Sequence, residues 1–309
     1  MKLKTSAIAL AVAGSVAAPA VVQADGVYAS ARVGLWNTDT GGVSELDVRS
    51  FSSRFGAKGE TDLGNGMIGF GKYEWDVDFN NDNGEDDIGV RQRHVGVKGG
   101  FGKITVGQAY HTFYNFVVGP TDIPWWHSGY SMIAYSGRTD NAITYAGGGK
   151  MFKFGATAYF GTDFEAADGT NPESGDEGLD GIEAGVSFGL GGMTLGIAIK
   201  DIEAVDNAVT GVVLSGISLG PANIGIGFQA NDDDTSILVD ATFGNAYVHY
   251  ESLDLDAAGT TPTNITLGYT HKLGPKTTMY FEFFTKDADT SNSDDDLNRV
   301  MGVLKYDII

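Results

Sequence analysis

The chain alternates almost from end to end. Over residues 151–160, Phe152, Phe154, Ala156, Ala158 and Phe160 share one parity, and Lys153, Gly155, Thr157 and Tyr159 the other. A period of two puts successive side chains on opposite faces of a strand, so such a run is a strand with one greasy and one polar side. Residues 67–79, 264–272 and 279–284 repeat the pattern. Two kinds of connection take turns between the runs. One is tight and Gly-rich, as at 63–66, 99–102, 147–149, 189–192, 220–223, 244–245 and 274–275. The other is long and acidic, as at 80–87, 163–180, 201–211, 232–234, 254–262 and 287–296.

Short turns at one end and large acidic loops at the other are the asymmetry of a membrane-spanning β-barrel. The pattern predicts an all-β fold, a transmembrane 16-stranded antiparallel β-barrel. Its strands begin near Gly26, Ser50, Met67, Gly89, Lys103, Asn141, Met151, Gly181, Met193, Val212, Asn223, Ser236, Asn245, Asn264, Lys276 and Leu297. An even count closes the sheet, and closure removes the unpaired edges that hydrocarbon would penalise. In that register Phe154 and Phe281 face lipid, and Thr157 and Glu282 face water. One connection is neither tight nor acidic. Residues 116–138 hold Pro120, Pro124, Trp125 and Trp126, with Asp122 the single acid. A wide barrel has room for such a third loop to fold inward.

The first 24 residues read differently. Lys2 and Lys4 precede a small, apolar run, and Val22 and Ala24 form a small-x-small cleavage pair. This is a secretory signal segment, leaving residues 25–309 as the barrel. The product is exported. Among 309 residues, 20 are Lys or Arg and 40 are Asp or Glu, a formal charge of −20. That balance argues against a nucleic-acid partner, which needs a basic patch to neutralise phosphates. The absence of cysteine removes disulfide scaffolds, thiolate metal sites and Cys nucleophiles.

Three stretches carry a family resemblance. Residues 53–66 (SRFGAKGETDLGNG), 91–102 (RQRHVGVKGGFG) and 138–145 (RTDNAITY) stand in matching order and spacing. With them the chain resembles the general bacterial porins, trimeric sixteen-stranded diffusion channels of Gram-negative outer membranes. The resemblance implies a homotrimer among outer-membrane lipids and lipopolysaccharide, passing small hydrophilic solutes without catalysis. It also implies that the third loop narrows the pore opposite a basic wall. Arg54 and Arg91 match wall positions, as does Arg138, and Arg32, Lys58, Lys72 and Arg93 share their parity. The loop departs from the family pattern, since Asp122 is its only acid, and Gln108 stands where an Arg is common.

Other motifs carry less. Gly64, Gly66 and Gly69 fit GxGxxG, but a strand follows where a dinucleotide site needs a helix. Gly185, Ser187 and Gly189 fit GxSxG inside a continuing strand, not at a strand-to-helix corner. The five histidines show no ligand spacing, which places them in the pore or at the membrane girdle. No cofactor is expected. The acidic loops at 80–84 and 287–289 lack the Gly and final Glu of a calcium loop in register, which leaves weak divalent binding at most. Two alternatives stand beside a general diffusion channel. One is a solute-specific porin that uses Trp125 and Trp126 to stack a sugar or aromatic solute. The other is a soluble exported β-protein.

Overall fold

A computed structural model describes residues 23–78, 88–135, 137–160, 178–202, 207–291 and 295–309. The strands are β1 (Gln23–Thr40), β2 (Val43–Ser50), β3 (Ser53–Gly64), β4 (Met67–Val77), β5 (Ile88–Gly99), β6 (Gly102–Gln108), β7 (Ala142–Gly148), β8 (Phe152–Phe160) and β9 (Leu179–Leu190). They continue as β10 (Met193–Ile202), β11 (Val209–Leu219), β12 (Ala222–Ala230), β13 (Asp234–Phe243), β14 (Ala246–Leu255), β15 (Thr263–Lys272), β16 (Thr277–Asp287) and β17 (Leu297–Asp307). Neighbours pair antiparallel, and β1 pairs with β17 with Ser30 opposite Asp307, so the sheet closes on itself. The second half of β1 pairs with β2 and the first half with β3, which makes β2 and β3 two pieces of one wall strand. The wall is therefore a barrel of sixteen strands.

The break in that wall strand has a local cause. Phe51 is buried, 1% exposed, against Trp36, and Ser52 takes a left-handed φ of 56° to bring the chain back into the sheet. Parity changes across it. Leu46 and Val48 are exposed before the break, and Phe55 after it. The sequence pattern starts this strand near Ser50, whereas the structure starts it at Val43. Gly41 and Gly42, with φ of 59° and 78°, close a two-residue hairpin turn at the end where only long loops were expected. The other strand starts lie within three residues of their expected positions. Gly64, Asn65 and Gly66 form a tight turn leading into β4, and Ser187 lies inside β9. The signal segment up to residue 22, and much of the long acidic loops, lie outside the described residues.

The two faces of the wall separate cleanly. Phe281, Phe283, Ile197, Ile199, Leu267 and Val95 are exposed on one face. Their neighbours Glu282, Phe284, Ala198 and Thr266 are buried on the other. An apolar band this extensive has no counterpart on a monomer in water and fits contact with hydrocarbon. Phe154 and Phe281 lie on that band as expected. Thr157 and Glu282 lie on the opposite face, yet each is only 2% exposed. The expectation that they face water is corrected, because the segment between β6 and β7 covers them.

Candidate functional site

The covering segment contains one turn of π-helix, Tyr114–Val118. Phe113, Phe116, Val117 and Val118 form a small apolar core with Ala198 of β10 and Val209 of β11. Glycine makes the approach possible. A Cβ at Gly196 would overlap the Phe116 carbonyl oxygen, and one at Gly211 would come within 2.6 Å of Val117.

Wall side chains fix the backbone of this segment, and four of them make most of the bonds. Glu282 of β16 accepts from the N–H groups of Trp125 (2.5 Å), Trp126 (3.1 Å) and His127 (3.1 Å), and from the Tyr247 hydroxyl. It also accepts from His127 Nδ1 at 2.7 Å. A carboxylate only accepts, so that nitrogen carries the hydrogen. Burial lowers the His127 pKa, against the opposing pull of Glu282. Glu251 of β14 accepts from Gly129 N (2.6 Å), Ser131 N (2.8 Å) and His249 Nε2 (2.8 Å). Gln229 of β12 both accepts from and donates to the Ala134 backbone. Glu183 of β9 accepts from Phe113 N and the Tyr159 hydroxyl, both at 2.7 Å. A buried carboxylate is costly unless hydrogen bonds replace water, and these backbone donors do so.

Asp122 is used inside the segment. It accepts from the Tyr114 hydroxyl at 2.6 Å and from the Tyr135 hydroxyl at 3.1 and 3.2 Å. Burial first, and then the Asp122 charge, raise both phenol pKa values, so the hydroxyls keep their protons. Tyr114 stacks on Tyr110 at 4.4 Å, and the Arg138 guanidinium lies 5.3 Å from the Tyr110 ring. Trp125 and Trp126 are half-buried beside Trp36, Phe51 and Tyr280.

The expected basic residues gather around a buried acid. Glu74 of β4, 3% exposed, accepts from Tyr28 (2.7 Å), Arg91 Nε (3.1 Å) and Gln92 (3.2 Å). Lys72 lies 3.0 Å and Arg54 3.9 Å from its carboxylate. Arg91 also donates to Ser52 Oγ at 2.7 Å and lies 3.8 Å from Asp76. A bulge in β5 explains why Arg91 and Gln92 both reach Glu74. Gln92 stands opposite Glu74 and Val90 opposite Trp75, which leaves Arg91 as the extra residue. Arg32 of β1 stands beside them, its backbone N–H donating to Ser53 Oγ at 2.8 Å. Lys58 is opposite Lys72 and exposed.

Arg93 is not with them. It stands opposite Tyr73, on the face of Val95, and pairs with Asp140 at 2.8 Å. Its expected place on the basic wall is corrected, because the bulge at Arg91 shifts the parity by one. Simple alternation also passed over Glu74, Arg49 and Arg299. Arg49 lies on the polar face before the break at Phe51, where the parity is opposite to that of Arg54. The signal for Glu282 was an acid between Phe281 and Phe283, and for Glu74 an acid at the Lys72 parity.

The sequence matches the model of the Gram-negative porin family over residues 5–291. No curated protein sequence matches it. Among solved structures it resembles the anion-selective porin from Comamonas acidovorans at 17% identity and a TM-score of 0.68, covering 92% of this chain and 99% of that one. Salmonella typhi OmpF, in complex with daunomycin, gives 15% identity and 0.72, with 91% and 97% covered. The trimer form of Vibrio cholerae OmpT gives 18% and 0.67, with 91% and 98% covered. Those likenesses concern the fold, and the family match spans nearly the whole sequence: this chain belongs to the Gram-negative porins and is an outer-membrane β-barrel channel.

Proposed function

We propose that the channel passes small hydrophilic solutes by passive diffusion, and that the segment between β6 and β7 lies in its lumen and narrows it. One observation carries this reading. The segment is bonded to polar-face side chains of β9, β12, β14 and β16, and in a membrane barrel the polar face is the inner one. Arg54, Lys72 and Arg91 then line the pore with Glu74 and Asp76 as their acids, and Arg32 lines it beside Trp125. Two positive charges remain uncompensated, which favours anions modestly at the narrowest point.

The channel works as a homotrimer. The outward face of β3–β6 has a depression of about 520 Å³, lined by Ala57, Gly59, Gly71, Tyr73, Val95 and Val106. Arg93, paired with Asp140 and exposed, also lines it. An ion pair against acyl chains is unfavourable, whereas a second copy of the chain covers it. Residues 1–24 direct export, and intact mass of the extracted protein beginning at Asp25 checks this. Planar-bilayer recording of the purified protein tests the channel itself. Open, water-filled conductance with current steps in threes is expected; uniform single steps from a monodisperse monomer reject the trimer.

A further inference from the structure

Most arginines of the described wall have a carboxylate within 4 Å: Arg54 and Arg91 have Glu74, Arg49 has Asp47, and Arg93 has Asp140. Among the described residues Arg32, Arg138 and Arg299 have none. Each of these three lies instead over an aromatic ring. Arg32 is 5.9 Å from the Trp125 ring centre and Arg138 is 5.3 Å from Tyr110. Arg299 is 4.7 Å from Trp36. The Nε atoms of Arg32 and Arg299 are buried without a hydrogen-bond partner.

The rings between Arg32 and Arg299 form a continuous ledge. Trp125 stacks on Tyr280 at 4.5 Å and meets Trp126 at 6.1 Å, and Trp126 meets Trp36 edge-on at 6.4 Å. A guanidinium backed by a ring is held flat and keeps its in-plane donors for a carboxylate. Arg299 spends one donor on the Tyr130 hydroxyl at 3.0 Å, whereas Arg32 makes no side-chain hydrogen bond among the described residues, and the half-buried indoles lie alongside it. Lysine would supply the charge without the flat fork.

We propose that this ledge is a binding site for carboxylates attached to a flat ring. The carboxylate docks on the Arg32 guanidinium and the ring lies along Trp125 and Trp126. The proposal rests on the channel reading and adds a solute class to it. The test is single-channel recording in KCl with benzoate or cyclohexanecarboxylate added at equal concentration. The two anions have the same charge and nearly the same size, and only benzoate is flat. Benzoate is expected to interrupt the current several-fold more strongly. Arg32→Lys is expected to weaken interruption by both acids several-fold, and Trp125→Leu, which removes the ring, to bring the ratio between them close to one. A conducting wild-type channel that holds both acids equally overturns the site and leaves the channel reading standing. Interruption of unchanged strength in Arg32→Lys, or a ratio unchanged by Trp125→Leu, also overturns it. No conductance in KCl alone overturns the channel reading and the site with it.

Discussion

On β9, β12, β14 and β16 the polar-face side chains are buried and spent on the backbone of the long loop. On β1 to β5 the polar-face cations crowd round Glu74, and among the described residues Arg32 has no carboxylate within 4 Å. The two halves use the same alternation for opposite ends. One half trades solvation of its carboxylates for hydrogen bonds that hold a segment in place. The other keeps charge partly exposed and only partly compensated. In a barrel wall, then, an acid between two outward phenylalanines marks a mechanical anchor when something covers it, and a cation marks a field when nothing does.

Glu282→Ala is the strongest way to break that comparison. It strips the acceptor from the backbone N–H groups of Trp126 and His127, from the Tyr247 hydroxyl and from His127 Nδ1, leaving Trp125 N–H only the Tyr247 oxygen, and each buried donor left unpaired costs about 1–3 kcal/mol. The expected result is a fall in thermal midpoint together with irregular closures of the open channel, while far-UV circular dichroism still reports β-sheet. A quiet channel of unchanged stability would falsify the anchoring role. The adjacent Phe281→Arg tests the other face. It places a charge on the apolar band and is expected to cost about 2–4 kcal/mol in lipid, read as refolding yield and midpoint in vesicles. Lys58→Thr, an exposed polar-face change, is expected to cost much less. Gly196→Ala comes next, because its Cβ would collide with the Phe116 carbonyl. Displacing the loop should cost about 1–3 kcal/mol and alter unit conductance, whereas Ile197→Val on the outward face should leave conductance unchanged.

The wall was legible in the sequence because a period of two is a backbone property that every strand repeats. The residues that went astray did so where the period slips. Simple alternation places Arg93 inward, whereas the bulge at Arg91 adds one residue and turns it outward, and nothing in the side chains there announces it. Arg49 was passed over because Phe51 turns inward and Ser52 adopts a left-handed backbone. The covering of Thr157 and Glu282 was illegible for another reason. Strand patterning gives the face of a residue and not what a distant loop lays over it. Asp122 shows the same limit, since its two tyrosine partners sit 8 and 13 residues away within an irregular segment.

The smallest expected effect concerns selectivity, and it sharpens the contrast between the halves. Arg54, Arg91, Lys72 and Arg32 outnumber Glu74 and Asp76, while Asp122 is tied to two phenols, so on the proposed reading the local field at the pore should favour anions. The acidic loops at the mouth pull the other way. Their described acids Asp232, Asp233, Asp254 and Asp256 are exposed, and salt screens exposed charges, with a Debye length of ~3 Å at 1 M and ~10 Å at 0.1 M. Enclosed charges between low-dielectric walls are screened less. Selectivity should therefore be weak and move toward cations as salt falls. Arg54→Gln with Arg91→Gln should push it toward cations at every salt, because Glu74 then keeps only Lys72 as a near counter-charge. Glu74→Gln should push it the other way. Reversal potentials across a salt gradient, at high and low mean ionic strength, measure all three. If neither substitution moves the potential, the cluster around Glu74 braces the barrel wall and the pore reads its charge from somewhere else.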